Sequence, residues 1–258
     1  MTTKIRNKNG WDSYKAILAL AIPIIIQNLF SAAVSSADVI MLNSVGQSAV
    51  SASSLAVQYT NVLYMIFYGL GTGSTMLCAQ YWGKKDLRAI AKVEGIALRF
   101  ALGFSILFAV PAAAIPETMM KLFTEDQELI RLGGEYLRII SISYLCWGVS
   151  EIYLSVLRSI ERVRISMLLN VTALLLNILL NAVFVFGLFG VPKMGIKGVA
   201  LATSTSRAVQ LGASLVVSAF SKDVKLQFRL MFEKSGVLLK DFVRLSLPAL
   251  GNDVIWSV

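Results

Sequence analysis

Histidine is absent from all 258 residues, and cysteine occurs only twice, at Cys78 and Cys146. Without an imidazole there is no histidine general base, no histidine metal ligand and no HExxH-type zinc motif. The two cysteines fall in separate apolar runs with no metal-type spacing and no evident base beside either, so they read as buried structural thiols rather than a disulfide framework or a nucleophile. Charge is scarce as well. Asp, Glu, Lys and Arg make up 15% of the chain against 56% hydrophobic residues, and the mean hydropathy is +0.70. That leaves too little polar surface to enclose the apolar residues in water. The absences exclude a soluble globule and argue against a membrane-embedded enzyme; what remains is an all-α membrane protein.

Apolar segments long enough to cross about 30 Å of hydrocarbon recur along the chain. The pattern predicts helices over 13–42, 49–81, 90–115, 129–158, 163–187 and 195–220. A seventh helix opens at about 237 and the sequence stops inside it, so the chain is expected to be the first half of a longer protein. Its parts are a six-helix lobe over 1–220, a linker over 221–240 and the start of the seventh helix over 241–258. The basic N-terminus MTTKIRNKNGWDSYK precedes an apolar stretch longer than a signal-peptide core, with no clear small-residue cleavage site, and is read as leading into a retained first helix.

The net charge of +9 has a topological explanation rather than a nucleic-acid one. Sixteen lysines and arginines lie on one side of the spans: at 4–8, 84–92, 158–164 and 222–244. Three (Lys121, Lys193 and Lys197) lie on the other. By the positive-inside rule the N-terminus is cytoplasmic. Gly69, Gly71 and Gly73 in YGLGTGSTMLCAQYWGKKD follow no strand and lack nucleotide-loop spacing, so close helix packing or a flexible point is the better reading.

The first helix holds a lone carboxylate. Asp38 sits near the far end of AIPIIIQNLFSAAVSSADVIMLNSVG, and Pro23, near its start, removes a backbone donor and predicts a bend. A charged group at the centre of a membrane helix costs about 2.5–3.5 kcal/mol on insertion scales and so faces an interior with a job to do. Counting inward at about 1.5 Å per residue, Asp38 lies roughly 8 Å from the outer surface, Asn181 about 9 Å, Thr203 about 10 Å and Asn177 about 15 Å. Asn170, Asn177 and Asn181 share one helix face. Those amides either join helices or, with Asp38, form a polar chamber that exchanges a proton or binds a cation. Arg207, one turn beyond Thr203, either balances Asp38 or snorkels to loop carbonyls. Glu151 falls near the cytoplasmic boundary, where a solvated or salt-bridged role is expected. Asp253 follows Pro248 in the unfinished helix. Tyr59, Tyr64, Phe67 and Tyr68 either pack or line a cavity for flat cations.

In order and spacing, AIPIIIQNLFSAAVSSADVIML, GLGTGSTMLCAQYWGKKD, EYLRI with SVLRS, LLNILLNAVFVFG, GIKGVALAT and LSLPALGNDVIWSV resemble the N-terminal half of a multidrug and toxic compound extrusion (MATE) transporter. That likeness covers nearly the whole chain. It implies one six-helix lobe of a twelve-helix, two-lobed transporter in the cell membrane, with a central cleft and the C-terminal six-helix lobe as its partner. The implied activity is alternating-access export of small organic cations or drugs in exchange for protons or sodium. No organic cofactor is implied; the coupling ion itself would be held at Asp38, Asn177 and Thr203, with Asn181 beside them. Pro23 corresponds to the family's helix 1 proline, and Arg207, Glu151, Tyr64 and Asp253 are candidate substrate or gating residues. Two departures stand out: Asn181 replaces the second aspartate many relatives carry, and Ile160 stands where a glycine often follows. An alternative within the same superfamily, a flippase for lipid-linked oligosaccharides, calls for several deep arginines, and only Arg207 is deep. A purely structural or receptor role is the remaining alternative.

Overall fold

The computed structural model describes residues 10–221, 225, 226, 229, 233 and 235–257, with side chains for these except 10–17, 19, 20 and 252–257. The described residues form α1 (Gly10–Asn43), α2 (Gln47–Gly83), α3 (Leu87–Ala114), α4 (Pro116–Met120), α5 (Gln127–Ser159), α6 (Val163–Phe186), α7 (Ile196–Phe220) and α8 (Gly236–Ser257), with one 3₁₀ turn at Leu188–Gly190. All seven helices expected from the apolar pattern are present, and their ends fall within a few residues of the expected ones. The element that the pattern misses is α4, between the helices expected over 90–115 and 129–158. Pro116 occupies its first turn, where a missing N–H costs nothing, and Glu117 sits at the positive end of the helix dipole.

Caps explain where the helices start and stop. The Asp86 carboxylate accepts from Ala89 N at 3.0 Å to open α3, and that of Asp126 accepts from Glu128 N at 2.8 Å to open α5. At the close of α6, Gly187 adopts φ 73°, the left-handed cap conformation that a side chain would resist.

The central helix is α5. It packs against α2, α3, α4, α6 and α7, and Tyr144 and Tyr153 along it are the largest fully buried side chains. On the periphery, α1 lies mainly against α6 and turns Ile25, Leu29 and Ile40 outward, with exposures of 62%, 69% and 71%. In water such a face would be a liability; against lipid it is the expected surface. Pro23, by contrast, is buried.

Five helices (21–43 within α1, α2, α3, α5 and α6) are long and apolar enough to span a membrane. The sixth expected span, α7, has 25 residues, enough length, but its polarity is sorted to one side. Ser206, Gln210, Ser214 and Ser218, four apart, are buried, while Val209, Leu215, Val216 and Phe220 are exposed. Its apolar residues face out and its polar residues face the bundle, which lowers its average hydropathy without unfitting it for lipid.

On α2 the glycines mark contact points. A side chain on Gly69 would strike Leu250 of α8, one on Gly73 would strike Ser246 of α8, and one on Gly71 would lie 2.7 Å from Ser155 Oγ of α5. Helix packing through small residues is therefore their role. Farther along the chain, Lys92 Nζ lies 2.5 Å from Glu233 Oε1, an ion pair that ties the segment before α8 to α3.

Candidate functional site

Asp38 projects from the last third of α1 toward α6, the helix on which α1 rests. Asn181 Nδ2 donates to Asp38 Oδ1 at 2.5 Å and to Asn177 Oδ1 at 3.2 Å; Asn177 Nδ2 then donates to Thr203 Oγ1 of α7 at 3.1 Å. The result is one relay, Asp38–Asn181–Asn177–Thr203, across three helices. The polar layer read from the sequence is thus assembled. Asn181 is wholly buried and Asn177 is 7% exposed. Both amide hydrogens of Asn181 are engaged, yet its carbonyl, Asn181 Oδ1, is buried with no hydrogen-bond partner. An unpaired buried acceptor is costly, by about 1–3 kcal/mol.

Thr203 closes the relay with one hydroxyl, so its share can be isolated. Thr203→Val keeps the shape and removes the acceptor for Asn177 Nδ2. We expect a small loss of thermal stability in detergent, about 0.6 kcal/mol, with Asp38 and Asn181 undisturbed. An unchanged melting temperature would mean that Asn177 finds another acceptor.

Asn170 does not join this relay. It shares the α6 face, but its Oδ1 accepts from Gln210 Nε2 at 3.0 Å, two turns away. The pairing of Asp38 with Arg207 that the sequence left open does not form either, nor does Arg207 snorkel to loop carbonyls. Its guanidinium lies over the Trp147 ring, 4.1 Å from the centroid, a cation–π contact worth about 0.5–2 kcal/mol. Tyr136, 5% exposed, sits within electrostatic reach of both Asp38 and Arg207.

Trp147 anchors an aromatic column. Tyr64 stacks on it at 5.8 Å and 18°, Phe67 meets it edge-on at 5.2 Å, and Tyr68 continues from Tyr64 at 6.2 Å. Tyr64 and Tyr68 are half-exposed and Phe67 is buried. Tyr59 belongs to the packing instead, since its hydroxyl donates to Phe108 O at 2.9 Å. Glu151 is salt-bridged to Arg158 at 2.9 Å, and the same Arg158 nitrogen donates to Ser155 Oγ. Cys78 and Cys146 are free thiols. The Asp253 side chain lies outside the described residues. Trp147 and Tyr136 are absent from the sequence-level candidates because a Trp or Tyr on a central apolar helix looks like any other core residue.

Beyond Asp38, the α1–α2 and α6–α7 turns enclose an open cavity of about 720 Å³ with Glu128, Glu135, Lys193 and Lys197 in its wall. Glu135 is bridged there by Arg131 and Lys197 at 3.4 and 3.5 Å. No group of three or more His, Cys, Asp or Glu side chains is placed to hold a metal ion among the described residues. The groups around Asp38 are hard oxygen donors, with no thiolate or imidazole among them.

Among curated proteins the chain is 24% identical over 254 residues to the uncharacterized transporter YisQ of Bacillus subtilis, covering 97% of this chain and 55% of that one. It is 26% identical over 250 residues to the probable multidrug resistance protein NorM of Rhizobium meliloti, covering 96% and 51%. The chain spans about half the length of the curated relatives it matches. The fold superimposes with a TM-score of 0.82, at 24% identity, on an outward-facing structure of a multidrug resistance MATE family transporter of the MOP superfamily, covering 93% of this chain and 52% of the other. The MatE family model matches residues 23–183. From Pro23 in α1, through α2, α3 and α5, to Val183 in α6, the match takes in Asp38, Asn177 and Asn181 and more than half of the chain, which therefore belongs to the MatE family of transporters.

Proposed function

We propose that the full-length protein is an ion-coupled antiporter of the cell membrane that exports small organic cations or drugs by alternating access, with Asp38 as the coupling group of this lobe. The observation that carries this reading is the relay from Asp38 to Thr203 with the unpartnered Asn181 Oδ1 beside the carboxylate. When Asp38 takes a proton it gains a donor that Asn181 Oδ1 can accept. When sodium comes instead, Asp38, Asn181 Oδ1, Asn177 Oδ1 and Thr203 Oγ1 are the oxygens that would hold it. Either event changes which hydrogen bonds tie α1 to α6. Because α1 contacts little else, its hold on the lobe is the bistable element, and Pro23 is the place where it can bend. Drug release on one side and ion release on the other then follow from one rearrangement.

Substrate would meet the half-exposed Tyr64 and Tyr68, with Arg207 on Trp147 behind them, and a second six-helix lobe would complete the cleft. The N-terminus is cytoplasmic in this reading.

The test is full-length protein in proteoliposomes loaded with a fluorescent cationic dye, with proton and sodium gradients imposed separately. Dye movement driven by one gradient and not the other is expected and identifies the ion. No movement under either gradient overturns the antiporter reading.

A further inference from the structure

A second carboxyl is buried at the opposite end of the bundle. Glu94 of α3 is 1% exposed, and neither Glu94 Oε1 nor Oε2 has a hydrogen-bond partner. It lies seven residues into α3, about 10 Å from that helix's start, whereas Asp38 lies about 8 Å from the end of α1. Since successive long helices alternate direction, the start of α3 and the end of α1 face opposite sides of the membrane. The two carboxyls are therefore far apart in depth and share no residue.

The surroundings of Glu94 come from several helices. Cys78 of α2 and Tyr153 of α5 are within electrostatic reach. Tyr153 Oη is buried with Ser218 of α7 beside it and makes no hydrogen bond to the carboxyl. No lysine, arginine or other carboxylate of the elements packed on α3 (α2, α4, α5 and α8) acts on Glu94 among the described residues. Lys92, its neighbour two positions back, is engaged by Glu233. A carboxylate charge placed there would have no counter-ion and, as the groups stand, neither of its oxygens accepts a hydrogen bond, which costs several kcal/mol. A neutral acid avoids that cost and brings a hydroxyl donor to a cluster that has orphan acceptors.

We propose that Glu94, with Tyr153 and Cys78 around it, is a second proton-binding site of this lobe, exchanging with the membrane face opposite to that of Asp38. The carboxyl binds one proton and releases the same proton, and no other bond is made or broken. The helix α8 packs on α2 and α3, with Phe242 stacked on Phe100 at 5.9 Å. What the proton is used for rests on the antiporter reading; whether it binds does not.

Infrared difference spectra of the full-length chain in lipid, taken between acid and alkaline conditions, test the binding directly. Glu94→Gln keeps the shape and removes the acid. Wild type is expected to show a carboxylic-acid carbonyl band that titrates and shifts in deuterated water, that is lost in Glu94→Gln and that survives in Asp38→Asn. No such band, a band unaffected by Glu94→Gln, or one that neither titrates nor exchanges overturns the proposal. Should Glu94→Gln fail to fold, Tyr153→Phe provides the second reading: the band stays and its titration midpoint moves, and an unmoved midpoint counts against the cluster. A wild type that moves no dye yet titrates at Glu94 would sink the antiporter reading alone.

Discussion

Asp38→Asn is expected to reduce ion-driven dye efflux at least tenfold, to background, while the protein still inserts and folds. The reason lies in what the substitution keeps. An asparagine at 38 retains an oxygen to accept from Asn181 Nδ2, the 2.5 Å bond that fastens α1 to α6, so the α1–α6 contact survives. It removes the only charge in the relay and with it the capacity to take up and release a proton or to neutralise sodium. Asp38→Ala separates the two effects, because it also leaves one Asn181 hydrogen without its acceptor and should lower thermal stability as well. Efflux by reconstituted variants, normalised to membrane protein and accompanied by melting curves, provides both readouts. Wild-type export by Asp38→Asn would remove Asp38 from the mechanism.

The relay was legible in the sequence because its parts are conspicuous where they stand. A lone aspartate and asparagines four apart have no cheap place in a lipid-facing helix, so Asp38, Asn177 and Asn181 identified themselves, and depth counting brought Thr203 to the same layer. The same logic overreached at Asn170. A spacing of seven fixes a helix face but moves the residue about 10 Å along the axis, and Gln210, unremarked in the sequence, was the partner at that depth. Arg207 shows the other limit. Its charge was visible, but the aromatic face that receives it, Trp147, comes from a helix sixty residues earlier and is distinguished only by tertiary packing. Glu94 went unread for a related reason: near a basic loop, with Lys84, Lys85 and Arg88 preceding it, it looks like a surface carboxylate, and only the packing of α3 on α2 and α5 reveals that it is buried. The stripe on α7 was likewise unread: Ser206, Gln210, Ser214 and Ser218 recur every four residues, and their burial shows that they share the inward face.

Gly73→Leu carries the largest expected effect on the folded state. The α2–α8 contact is made where the two backbones come closest: a Cβ at Gly73 would collide with Ser246 Oγ and lie 3.0 Å from both Ser246 Cα and Cβ. A flexible side chain could swing away from such a clash, but Ser246 Cα belongs to the backbone, so α8 as a whole must retreat. Overpacking of this kind costs about 1–3 kcal/mol, and more when a branched side chain is forced in. The retreat would also disturb the stacking of Phe242 on Phe100 and uncover Ser246, which is buried with its hydroxyl unpartnered. Gly69→Ala should be milder, since much of what a methyl there meets is the Leu250 side chain, although Leu250 N at 3.2 Å limits the relief. Gly103→Ala, with nothing within 4 Å of its Cβ position, is the control and should be neutral or slightly stabilising, because alanine is the better helix former. Melting curves in detergent rank the three. The expected order of destabilisation is Gly73→Leu, then Gly69→Ala, then Gly103→Ala; a Gly73→Leu protein that melts with wild type would mean that α8 does not dock on α2 through this stripe.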